Sequence, residues 1–160
     1  MAEPFTFPES KLTPPAPRRL VVDRPRLVQA LRDGSARRLV VVTAEAGYGK
    51  TYLLVAALAA AGRPVAWLTL DESDTDPNLF AAGIVLSLRR IAPGVGQGAL
   101  DVLTTGPSDD VLAAAVRRTF EELPAETVLV LDATPAAHAL VDRWLADAPA
   151  RCLPGALAFW

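Results

Sequence analysis

The sequence predicts an α/β protein with a mostly parallel sheet covered by helices on both faces, and three observations lead there. Short β-branched runs at 38–43, 65–70 and 127–132 have the length and composition of buried strands. Helix-forming segments separate them, which is the connection that parallel pairing requires. At 160 residues, 51% hydrophobic and 21% charged, the chain is long enough to bury a core, and one domain is the default reading.

The elements follow in order. Met1 to Arg19 hold five of the fourteen prolines and no periodic apolar pattern, so residues 1–19 are expected to form an extended surface lead-in. Residues 24–31 fit a short helix with Asp23 as N-cap, Pro25 in the first turn and Gly34 near its stop. Arg38 to Thr43 reads as the first strand, Lys50 to Ala61 as a helix closed by Gly62, and Val65 to Leu70 as the second strand. Asp74 or Asp76 can cap a helix running through Phe80, Ile84, Leu88 and Ile91, which glycines 94, 96 and 98 are expected to end. Ser108 can cap another, with Val111, Leu112, Ala115, Val116, Phe120 and Leu123 on its apolar face. Thr127 to Asp132 is the third strand, a helix is expected around 136–146, and Gly155 to Trp160 begins a fourth strand.

Composition narrows the function classes. A net charge of −2 does not call for a polyanion partner, and a single cysteine, Cys152, leaves no internal disulfide and no thiolate cluster. The start has no basic patch followed by an apolar run, and the longest apolar stretch, Leu53 to Ala61, is far short of the ~20 residues of a membrane span. A cytoplasmic protein is the resulting expectation.

Between the first strand and the following helix lies Ala44-Glu45-Ala46-Gly47-Tyr48-Gly49-Lys50-Thr51, which reads as a phosphate-binding P-loop, or Walker A motif. Such a loop holds a triphosphate by backbone N–H groups, by the positive end of the next helix and by a lysine. Gly47 and Gly49 allow close backbone approach, Lys50 supplies the cation, and the Thr51 hydroxyl is suited to Mg²⁺. The expected nucleotide-binding residues here are Ala46, Gly47, Tyr48, Gly49, Lys50, Thr51 and Tyr52. Val128 to Asp132 suits a Walker B strand, its terminal carboxylate serving with Thr51 as the metal-binding pair. Ala133 stands where a water-activating acid often follows, so hydrolysis is expected to be weak or absent, with Ala133→Asp raising it. His138, the acids Asp71, Glu72, Asp74 and Asp76, and the pairs Arg89-Arg90 and Arg117-Arg118 read as ordinary helix-surface, loop or capping residues.

Thr43 to Thr51 resembles the A-G-Y-G-K-T loop of STAND-class signal-transduction ATPases, in particular the large LuxR-type regulators related to the maltose-regulon activator. Two further stretches resemble that family. Lys11-Leu12-Thr13-Pro14-Pro15 with Val22-Asp23-Arg24-Pro25-Arg26-Leu27 is similar to its K-L-x-x-P and V-x-R-x-R-L. Val65 to Pro77 with Phe80 is similar to its W-x-x-L-D-x-x-D-N-D-P-x-x-F. The resemblance implies a three-layer P-loop NTPase sandwich over residues 20–160, working as an ATP/ADP-operated switch with Mg²⁺. It places Val22 and Arg24 near the adenine, and Lys50, Thr51 and Asp132 around phosphates and metal. Ala133 and Pro135 depart from the family's D-D-x-H. In that family the first strand is central, flanked by later strands, so the domain is expected to be incomplete at its C-terminus, with one sheet edge unpaired and no DNA-binding domain within the chain. A protein partner or further C-terminal domains are expected to complete it. Two other classes fit the same motifs: a small P-loop kinase, for which Arg117 and Arg118 are the only candidate lid arginines, and an interaction remnant that does not bind nucleotide.

Overall fold

Four strands pair in parallel in the order β1-β4-β3-β2, with β1 Leu39–Val42, β2 Val65–Leu70, β3 Val128–Ala133 and β4 Ala156–Phe159. The structure is a computed structural model and describes residues 5–16, 24–34, 39–43, 45, 47–59, 61–123, 126–147 and 156–159. Six α-helices accompany the sheet among the described residues: α1 Pro25–Gly34, α2 Lys50–Ala59, α3 Pro77–Arg89, α4 Gln97–Leu103, α5 Asp109–Glu121 and α6 His138–Asp147. No helix among them is long and apolar enough to cross a membrane.

Alternation along the strands divides the apolar side chains between two clusters. Trp67, Val128 and Val130 pack with Leu31 of α1 and Leu53, Leu54, Ala57 and Leu58 of α2. Ala66, Leu68, Leu70, Leu129, Leu131 and Ala133 face the other way, into a larger cluster formed with α3, α4, α5 and the start of α6. α3 is buried from Phe80 through Leu88, as expected of a helix apolar on every side. Asp76 caps it by accepting from the N–H groups of Asn78 at 2.7 Å and Leu79 at 3.1 Å.

Three local expectations change. Gly98 does not break a helix but lies inside α4, a seven-residue helix the glycines conceal. It starts after Gly96, whose φ of +68° and whose missing Cβ, which would come within 2.6 Å of Val85 and 2.8 Å of Thr119, both require glycine. Ser108 sits at the N-cap of α5, but its side chain makes no capping bond. Arg24 rather than Asp23 supplies the carbonyl that accepts from Leu27 and Val28, both at 3.0 Å, while Asp23 lies outside the described residues.

The lead-in is more packed than its prolines suggest. Glu9–Lys11 forms a 3₁₀ turn, and Phe5, Phe7 and Leu12 rest against the larger cluster. Gly83 on α3 makes room for this strap, since a Cβ there would lie 3.1 Å from the Phe7 ring and from Leu68 Cδ1. Lys11 fastens the strap to the loop after β2, its Nζ 2.6 Å from Asp74 and 2.9 Å from Asp71. The fourth strand pairs between β1 and β3, so β1 is an edge of the described sheet.

Candidate functional site

Register across the sheet decides which side chains can meet. Val42 pairs with Phe159, Phe159 with Asp132, and Asp132 with Thr69, so all four stand in one row. The end of β1 and Asp132 are therefore two strand spacings apart, about 10 Å. The glycine loop leaving β1 spans that distance and feeds α2. Val128 and Val130 pack toward α1 and α2, and the period of two turns Asp132 to the same face. Ala133 turns to the opposite face and joins the larger core, 9% exposed.

Thr51, in the first turn of α2, meets Asp132 directly: its hydroxyl donates to Oδ2 at 3.1 Å, with Oδ1 at 3.4 Å. Burial pushes the Asp132 carboxyl above its ordinary value, while the Thr51 hydrogen bond and the charge of Lys50 pull partly the other way. Lys50 donates from Nζ to the Glu45 carbonyl at 3.0 Å. The chain turns through Gly47 at φ +84° and Gly49 at φ +74°, and a Cβ at either would meet nothing within 4 Å. Strain, not crowding, therefore selects glycine here, and among the described residues the space beside both is open. The Gly49 carbonyl accepts from Leu53 at 3.0 Å, so the helical bonding of α2 begins on the loop and its first N–H groups border that space.

Arg24 donates from Nη1 to the Tyr48 carbonyl at 2.9 Å. Tyr48 is 56% exposed, and Tyr52 is half-buried in the first turn of α2. Val22, Ala44 and Ala46 lie outside the described residues. The donor set suits a hard cation held partly by phosphate oxygens, one hydroxyl and one carboxylate being what Mg²⁺ takes from such proteins. No group of three or more His, Cys, Asp and Glu side chains that could hold a metal occurs among the described residues.

The remaining polar groups fall elsewhere. His138 is the half-buried first residue of α6. Asp71 and Asp74, read from sequence as loop acids, are the partners of Lys11. No local signal marks that pairing, because 63 residues separate Lys11 from Asp74. Arg117 and Arg118 are exposed on α5.

The fold and this constellation define a parallel α/β protein whose glycine loop brings a lysine and a threonine to a strand-end aspartate. The chain is a partial homologue of MalT-type regulators and of PknK. It is 35% identical over 99 residues, 60% of its length, to the serine/threonine-protein kinase PknK of Mycobacterium tuberculosis, of which it covers 9%. It is 32% identical over 126 residues, 77% of its length, to the HTH-type transcriptional regulator MalT of Cronobacter sakazakii, of which it covers 14%. With MalT of Serratia proteamaculans it is 40% identical over 85 residues, 53% of this chain and 9% of that protein. The chain thus spans about a tenth of the length of these relatives. No family model matches it.

Proposed function

We propose that the chain is an ATP/ADP-binding switch module of a STAND-type, transcriptional-regulator ATPase, built as a three-layer P-loop NTPase sandwich. Residues 20–160 form its nucleotide-binding domain and residues 1–19 its lead-in, and it works in the cytoplasm. The observation that carries this reading is the 3.1 Å contact between Thr51 and Asp132 beneath an open glycine loop. In sequence 81 residues, including the whole of β2, separate them, and the pairing is the one a nucleotide-bound Mg²⁺ needs. Bound Mg²⁺ neutralises phosphate charge. The chain's own contribution is to offer N–H groups of the loop and of the start of α2, the Lys50 ammonium, and the hydroxyl and carboxylate of Thr51 and Asp132.

Hydrolysis is weak in this reading, because the position following Asp132, where a water-activating acid is expected, faces away from the site into the core. Release of inorganic phosphate stays near background, and occupancy rather than turnover is the signal. The relatives named as transcriptional regulators support a role in a larger regulatory protein, whose remaining domains or a protein partner read the occupancy. A small kinase is less well supported, since Arg117 and Arg118 lie within helix α5 rather than in a loop that could close over the site.

The test is binding of labelled ATP with Mg²⁺ to the wild-type chain and to Lys50→Ala. Saturable binding by the wild type, weakened at least tenfold by the substitution, is expected; that factor corresponds to about 1.4 kcal/mol. Equal and negligible binding by both leaves the interaction remnant as the surviving explanation.

A further inference from the structure

We propose that Arg24 is a positioning residue for the phosphate loop: it holds the Tyr48–Gly49 peptide in the orientation that receives phosphate. This rests on the nucleotide reading above and assigns Arg24 a role different from an adenine contact. Arg24 occupies the N-cap position of α1, with Pro25 fixing the first helical residue, so its backbone is set by the helix. α1 is itself held against α2 through Leu31, Val28, Leu53 and Leu54. The guanidinium therefore starts from a fixed point on the element that packs beside the loop.

From there Nη1 reaches the Tyr48 carbonyl at 2.9 Å. In a trans peptide the C=O and the following N–H point in opposite directions. Fixing the Tyr48 carbonyl toward Arg24 turns the Gly49 N–H to the other side of the loop. Gly49 needs that constraint, because glycine at φ +74° with nothing within 4 Å of its missing Cβ has little else to choose its peptide orientation. The neighbouring anchors do not do this: Lys50 bonds the Glu45 carbonyl and the Gly49 carbonyl serves α2. Among the described residues the flanking bonds, Tyr48 N–H to the Glu45 carbonyl at 3.4 Å and Leu53 N–H to the Gly49 carbonyl at 3.0 Å, leave the Tyr48 carbonyl itself to Arg24, so without Arg24 the peptide is less tightly oriented and anion binding must restore its orientation.

The prediction concerns phosphate and not base, which pyrophosphate isolates because it carries no adenine. Affinities for ATP and for pyrophosphate, each with Mg²⁺, are measured on wild type, Arg24→Gln and Arg24→Lys. Arg24→Gln is expected to weaken both ligands by the same factor, about fivefold to tenfold, the range of one partly exposed charged hydrogen bond. Arg24→Lys, which can still donate one bond to a carbonyl, recovers most of that loss. Unchanged thermal midpoints in both variants separate loop positioning from general destabilisation. Weaker ATP binding with unchanged pyrophosphate binding overturns the proposal in favour of a base contact, and unchanged affinity for both, or no recovery by lysine, overturns it outright. A wild type that binds no better than Lys50→Ala defeats the nucleotide reading itself, and the proposal with it.

Discussion

Lys11 is the fastening of the N-terminal strap, and replacing it with methionine keeps the apolar stem while removing the charge. Its Nζ lies 2.6 Å from Asp74, with side chains 15% and 7% exposed, and 2.9 Å from Asp71, which is 47% exposed. The Asp71 pair is close to a surface ion pair, worth about 0.2–1 kcal/mol. Breaking the Asp74 pair approaches the cost of orphaning a buried charge, about 3–5 kcal/mol, but Asp74 still accepts the Asp71 N–H at 2.8 Å. A net loss of about 2 kcal/mol follows, which at this chain length lowers the thermal midpoint by about 4–8 °C. Urea unfolding of wild type, Lys11→Met, Asp74→Asn and the double variant measures the pair itself, with a coupling of about 1–2 kcal/mol expected. A coupling below about 0.5 kcal/mol refutes the reasoning, because the strap would then be held by the packing of Phe5, Phe7 and Leu12 and by contacts such as the exposed Glu9–Arg90 pair rather than by the buried latch.

The same latch has a pH range. The Ser73 hydroxyl and Lys11 hydrogen-bond Asp71 and hold its carboxyl well below the ordinary 3.8, so its contribution is present above that value and is lost as pH falls below it. Burial pulls Lys11 down, but its bonds to Asp74 and Asp71 outweigh this and leave it above 10.5, so its contribution is full below 10.5 and is lost as pH rises beyond. The stability difference between wild type and Lys11→Met should be flat from about pH 5 to pH 10 and decline progressively as pH falls below about 4, and a decline centred near neutrality contradicts the assignment. Ala133→Asp, which the sequence alone suggests as a gain of hydrolysis, is expected instead to destabilise the fold by about 2–4 kcal/mol, because it sets a carboxyl beside Leu70 and Leu131 in the larger core. Phosphate release and urea midpoint measured on that variant decide the matter: faster release at unchanged stability contradicts the placement of residue 133.

What was legible in the sequence was local. β-branched runs, Asp76 with Pro77, and the spacing of Phe80, Ile84 and Leu88 each state their structure within a few residues, and β2, β3 and α3 lie where those signals put them. The loop and the terminal Asp132 were equally readable, since each is a short motif at the end of a strand. α4 was hidden because Gly96 and Gly98 mimic a loop, although Val95, Ala99, Leu100 and Leu103 carry a helical spacing that points to it.

What was not legible depends on pairings across the chain. The sheet order fixes how far the loop must reach, and the register that sets Val42, Phe159 and Asp132 in one row exists only once β4 enters between β1 and β3. The consequence reaches single residues: Asp132 and Ala133 are neighbours in sequence, yet strand alternation sends one to Thr51 and the other into the opposite core. A motif read as a string treats residue 133 as part of the site, whereas the pleat removes it. Arg24 shows the reverse case, since its place near the loop comes from the packing of α1 on α2, and neither its type nor its spacing identifies the Tyr48 carbonyl as its partner.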